Sequence, residues 1–154
     1  MGEAKAFGAN ETAAQLSAKG VVSVENEGTQ FFLGYRQVSA NNQDPILVKF
    51  VDGEQQWART NYETTGDDQK GYGLLWDGAD RLYAVFSVTG TQPGDDFRRF
   101  AGDGWLKSYG QGGGAKASVL ARIDPATGEV EAVTFLYARL SNGNTNSLQV
   151  TDLA

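Results

Sequence analysis

The chain has 154 residues, 40% of them hydrophobic and 21% charged, which is enough apolar material for one packed domain and argues against whole-chain disorder. A net charge of −6 argues against a nucleic-acid partner and against anionic membrane surfaces, because both ask for a basic face. Cysteine and histidine are absent, which removes disulfides, thiolate nucleophiles, the commonest zinc ligand and the commonest general base.

In chain order, Met1–Lys5 lacks the apolar core of a signal peptide, and nowhere is there a run of about 18 apolar residues that would insert in a membrane. Residues 4–8 read as a short leading strand. Residues 9–19 are Ala-rich and allow one or two helical turns, with Asn10 as a cap. Val21–Glu25 is a β-branched strand, and Gln30–Gln37 is rich in Phe, Leu and Tyr, as suits a strand buried on both faces. Ser39–Asp44 reads as a polar loop ending at Pro45. Ile46–Val51 and Gln55–Tyr62 follow as strands around an Asp52-Gly53 hairpin turn.

The order then recurs. Tyr72–Trp76 and Arg81–Val88 are followed by Ala117–Ile123 and Glu129–Arg139, the last two joined by the turn Asp124-Pro125-Ala126-Thr127-Gly128. Residues 19–35 align with 70–86 without a gap, at an offset of 70 − 19 = 51, with Lys-Gly at the head of both. Lys49-Phe50 corresponds to Arg122-Ile123. Residues 147–153 read as a trailing strand, with Val150-Thr151-Asp152 matching Leu75-Trp76-Asp77. The expected fold is therefore all-β: a single domain, 1–154, of two four-stranded antiparallel units, about 19–69 and 70–146, with unpaired terminal strands at 4–8 and 147–153. Such units have the anatomy of propeller-like blades, about two of them complete.

Two stretches carry a resemblance to known proteins: Pro45–Thr60, with Val48-Lys49-Phe50-Val51-Asp52-Gly53 and Trp57, and Ala117–Val130, with Arg122-Ile123-Asp124 and Gly128. Each is similar to the repeat segment of bacterial β-propeller proteins of the SBBP type. The Asp124-x-x-Thr127-Gly128 turn also resembles quinone-type propeller repeats. The resemblance implies a structural or binding scaffold, often exported, without shared catalytic residues. Two blades do not close a ring of the usual four to eight. The chain is then a piece of a longer propeller, a subunit that assembles with copies of itself, or a differently closed barrel or sandwich.

The units differ by an insertion of 22 residues within Thr89–Lys116, since Ser87–Arg122 spans 35 steps where Arg36–Lys49 spans 13. It carries Phe97, Arg98, Arg99, Phe100, Trp105, Lys107 and Tyr109, the mixture of aromatics and cations found at binding surfaces. The aromatics either anchor the loop to the sheet or meet a partner; Trp57 and Trp76, on strands, are expected in the core. Asp67-Asp68 and Asp95-Asp96 read as turn formers. With Asp103 they offer calcium ligands only without the spacing of a calcium loop, and no metal site is assigned. Gly110–Gly114 lacks the Lys-Ser/Thr of a phosphate loop and reads as a hinge. The expectation is a non-enzymatic scaffold for protein interaction or self-assembly, without a cofactor. The alternative is a carbohydrate-binding module using Trp and Tyr with the 89–116 loop.

Overall fold

The computed structural model describes residues 1–89, 94–108 and 115–154. The described residues are all-β apart from one short helix and a 3-10 turn. Sheet one consists of β1 (Val22–Asn26), β2 (Thr29–Ser39), β3 (Asn42–Val51) and β4 (Glu54–Arg59), antiparallel and in sequence order. Sheet two repeats that order with β5 (Lys70–Trp76), β6 (Leu82–Thr89), β7 (Lys116–Ile123) and β8 (Val130–Leu136). A two-stranded ribbon, β9 (Ala138–Arg139) with β10 (Thr145–Asn146), follows.

Turn chemistry fixes the hairpins of sheet one. Glu27-Gly28 and Asp52-Gly53 have φ of 47° and 82°, and of 49° and 81°. Two successive left-handed residues twist a two-residue turn in the sense of the strands it joins.

The polar loop expected at Ser39–Asp44 is instead the tip of a long hairpin, with β2 running to Ser39 and β3 starting at Asn42. Pro45 lies inside β3, opposite Tyr35. Tyr35 spends its N–H on the Lys5 carbonyl (3.1 Å) and its carbonyl on Phe7 N–H (3.0 Å), so the pair asks no N–H of Pro45. On the other side β4 has already ended, since Arg59 pairs with Leu47. Proline is tolerated in a strand where its missing donor has no partner to lose.

The terminal strands also differ from expectation. Residues 4–8 contribute a single parallel bridge, Ala6 to Tyr35, and residues 147–153 form no strand. The trailing segment is held by isolated bonds: Leu148 N–H to Lys116 O (3.0 Å) and Val150 N–H to the Tyr72 hydroxyl (3.0 Å). The expected strand 129–139 is divided between β8 and β9. Helix α1 (Ala13–Ala18) is capped by Thr12, not Asn10, because Thr12 and Gln15 form a reciprocal capping box.

Packing is in layers. Phe32, Ile46, Val48 and Phe50 of sheet one face back onto Phe7, Leu16 and Val21, of the N-terminal segment and α1. Phe31, Leu33 and Leu47 face forward onto Ala84, Val119, Ala121 and Ile123 of sheet two. Phe31 also meets Trp76 edge to face, at 4.9 Å. Lys49 donates to Pro125 O (2.9 Å) and Arg59 to Thr127 O, so the β7–β8 turn is clasped by sheet one.

The two sheets share a register. Phe31 lies between Val24 and Lys49, and Tyr83 between Leu75 and Arg122. A register shift follows Lys49 in one sheet and Arg122 in the other. The ungapped alignment needs one correction: the offset is 75 − 24 = 51 on the first strand and 83 − 31 = 52 on the second. The β5–β6 hairpin, held by Asp77 accepting from the Ala79 and Arg81 N–H groups, is one residue longer.

Candidate functional site

The forward face of sheet one is filled by sheet two. The corresponding face of sheet two, carrying Tyr83, Val85 and Ser87 on β6 and Ser118, Leu120 and Arg122 on β7, has no further sheet over it among the described residues. Strand alternation puts these residues on one side, with Leu82, Ala84, Phe86 and Val88 on the other. Only parts of this outer face are covered. Gly73, beside Val85, lies against Met1, and Ser118 donates to Leu148 O (2.8 Å).

The insertion covers the β8 edge. The Phe135 N–H donates to Leu106 O (3.0 Å) and the Leu106 N–H to Thr134 Oγ1 (3.2 Å), which occupies backbone groups that would otherwise template aggregation. Gly104 packs against the Val133 carbonyl, too close to admit a Cβ. This contact delivers Trp105 to the rim of a groove of about 420 Å³ floored by Tyr83, Leu120, Arg122, Ala132 and Thr134, with Asp103 beside it. Trp105 is 86% exposed.

At Tyr83 and Arg122 the groove continues into a polar cleft of about 540 Å³, bounded by Lys49, Arg81, Asp124 and Glu131. Arg122 Nε donates to Glu131 Oε2 (2.7 Å), leaving the rest of its guanidinium facing the cleft. Asp124 is committed to its own turn, accepting from Ala126 N–H (2.8 Å) and the Thr127 hydroxyl (3.2 Å).

The residues expected at the site part company. Phe97 is buried with its ring 4.7 Å from Phe86. Arg98 donates to Asp96 Oδ2 (2.6 Å). Arg99 donates to Asn61 O (2.6 Å) and Tyr62 O (3.1 Å), pairs with Asp95 (3.0 Å) and lies 4.6 Å from the Phe100 ring. Phe97, against Tyr62, and Arg99 pin the insertion to the β4–β5 connection, while Arg98 closes a contact within the insertion. Trp105 and Lys107 face solvent, and Tyr109, with Gly110–Gly114, lies outside the described residues. Trp57 and Trp76 pack against the core.

Tyr83, Leu120, Arg122, Ala132 and Thr134 were not singled out from sequence. Their signal was the alternation of polar positions along β6 and β7, Tyr83 and Ser87 with Ser118 and Arg122, in strands that a sheet covered on both faces would fill with apolar residues.

A second polar cluster lies in the β4–β5 connection. Glu63 is buried, and one carboxylate oxygen accepts from Thr65 N–H (2.8 Å). The other has no partner among the described residues. Burial, with smaller contributions from Asp44 and Asp96, pushes its pKa up to about 7, against the pull of the Thr65 bonds. Asp44, paired with Arg36 at 3.5 Å, is also raised by burial. Among the described residues no three acidic side chains converge as a metal site would require. Among the described residues no helix is long and apolar enough to cross a membrane. No protein-family model, curated protein or solved structure matches the chain.

Proposed function

We propose that this chain is a non-enzymatic binding scaffold built of two propeller-type blades, and that the open face of sheet two is its binding surface. The shared register supports the blade reading: two four-stranded meanders stack front to back, and α1 stands where a preceding blade would. The observation that carries the functional reading is the difference between equivalent positions. Phe31, Leu33 and Leu47, the forward positions of sheet one, are fully buried by sheet two. Of their counterparts, Val85 is buried as well, beside Gly73 and Met1, but Tyr83 and Leu120 stay only half-buried and lie among Arg122, Ala132 and Thr134, with Trp105 projecting beside them.

A third sheet, or the face of a second copy, would desolvate these polar groups without supplying partners, which costs about 1–3 kcal/mol for each group left unpaired. A polyhydroxylated ligand supplies the partners. Its ring faces stack on Trp105 and Tyr83, and its hydroxyls accept from Arg122 and donate to the remaining lone pair of Thr134 Oγ1, whose own proton points to Phe135 O. A saccharide is therefore the ligand class that this surface fits best.

The test is a panel of immobilised glycans probed with the wild-type chain and with Trp105→Ala. Binding to some glycans by the wild type, lost in the variant, supports the proposal. Absence of any glycan signal, with tryptophan emission unmoved by sugars in solution, counts against it.

A further inference from the structure

At the far end of the same outer face, near both termini, lies a cavity of about 590 Å³ that the saccharide reading leaves unused. Lys70 on β5, Ser87 on β6 and Ser118 on β7 stand in register across three strands, and Lys116 follows on the same side of β7. Neither Lys70 nor Lys116 has a carboxylate partner among the described residues. Glu3, the one acid on the rim among the described residues, is taken by Lys5 at 3.1 Å. Two unneutralised ammonium groups in one cavity are conspicuous in a chain with a net charge of −6.

The hydroxyls divide into framework and donor. Ser118 gives its proton to Leu148 O (2.8 Å), so the Tyr72 hydroxyl, 2.9 Å away, donates to Ser118 Oγ and accepts from Val150 N–H. Ser147 Oγ accepts from Lys116 N–H (3.0 Å), fixing the backbone beneath that lysine. The Ser87 hydroxyl has no hydrogen bond among the described residues and keeps its proton for a ligand, while its backbone sits in the ladder. Lys70 is steadied over the Tyr35 ring, 5.0 Å from its centre, which holds the ammonium without neutralising it.

We propose that this cavity binds a tetrahedral oxyanion, the sulfate or phosphate group of a larger ligand, with Lys70, Lys116 and Ser87 as its donors. Ammonium and hydroxyl donors on three sides match an anion that presents several oxygens, and charge-assisted bonds are the strong ones. The cavity is much larger than a bare sulfate and has room for a body of monosaccharide size. The assignment stands whether or not Trp105 stacks on a sugar.

The experiment is an amide-resolved NMR titration of the intact chain at constant ionic strength, using sodium sulfate, sodium phosphate, glucose-6-sulfate, glucose-6-phosphate and glucose. Saturable shifts at residues 70, 87, 116 and 118 with the anions and not with glucose are expected, the esters binding at least about fivefold tighter than the free ions. Preference for one ester tells sulfate from phosphate. Lys70→Gln with Lys116→Gln should weaken binding at least tenfold, and Ser87→Asp, which brings a carboxylate into the cavity without removing a lysine, should abolish it. Lys19→Gln on α1 should change nothing. Shifts that rise linearly without saturating, or a response that survives both the double variant and Ser87→Asp, would overturn the proposal.

Discussion

Lys49 and Arg122 stand at the same register position of their sheets, each just before a bulge, yet only Lys49 has a sheet in front of it. Its ammonium bonds to the Pro125 carbonyl and lies 5.7 Å from the centre of the Phe31 ring, whereas Arg122 holds Glu131 at the surface. Lys49→Met should therefore destabilise the fold by about 1.5–3 kcal/mol, the value of a hydrogen bond from a charged group. Arg122→Met should stay within about 0.5–1 kcal/mol of wild type, as exposed ion pairs do. Urea unfolding of the two variants checks the contrast; equal losses would remove the distinction between the clasped and the open face.

Gly71 lets the two sheets approach closely. A Cβ there would overlap the side chain of Leu33, which is fully buried. Gly71→Ala should cost about 1–3 kcal/mol by overpacking. Pairing it with Leu33→Ala should recover part of that loss, because the second change removes the obstructing atoms. A fully additive double variant, measured by the same unfolding curves, would place the contact elsewhere.

Tyr62 ties the β4–β5 connection to sheet two by donating its buried hydroxyl to Gly128 O at 2.5 Å. Burial raises its pKa, so the phenol stays protonated through the neutral range. Tyr62→Phe leaves that carbonyl without this donor and should lower stability by about 1–2 kcal/mol. Thermal unfolding reads the change.

Glu63 makes stability depend on pH in an unusual direction. Its folded pKa of about 7 lies above the ordinary 4.5, so the folded chain holds this proton more tightly than the unfolded chain does. Its contribution is whole below about pH 4.5 and declines as pH rises towards 7, then stays lost. Asp44, raised by burial against the pull of Arg36, adds a slope of the same sign. Glu11 and Asp77, lowered by hydrogen bonds from Lys19 and Gly8 and from Ala79 and Arg81, act oppositely in more acidic solution. Melting temperature should fall between pH 5 and 7.5, and Glu63→Gln should flatten most of that decline. A wild-type profile that rises over this range contradicts the assignment.

Much of this fold could be read from turns and alternation, and its departures have local causes. Asp52-Gly53 announced its hairpin because only certain residues adopt φ > 0 cheaply. Pro45 misled: it looked like a loop boundary, and its place in β3 depends on Tyr35 being bonded to the N-terminal segment, a contact between residues far apart in the chain. The trailing segment resembled a strand, but Val150 bonds to a side chain, Tyr72, where a ladder would offer backbone. In the insertion, composition marked a candidate surface without saying which way each residue turns. Phe97 went to the core and Trp105 to solvent, a division decided by Gly104 meeting Val133 and Leu106 joining the β8 edge. Arg122 was aligned correctly with Lys49, but that one faces a sheet and the other a cleft became legible only once the sheets were stacked.

The central claim is that the uncovered side of sheet two receives a ligand. The most direct measurement is chemical-shift mapping of the isotope-labelled chain with the tightest glycan of the panel, under saturating conditions. Perturbations grouped at Tyr83, Trp105, Leu120, Arg122 and Thr134, with Phe32, Ile46 and Leu16 unchanged, are the predicted result. Perturbations that cluster on α1 and the back of sheet one, or no perturbation at saturating ligand, would contradict it.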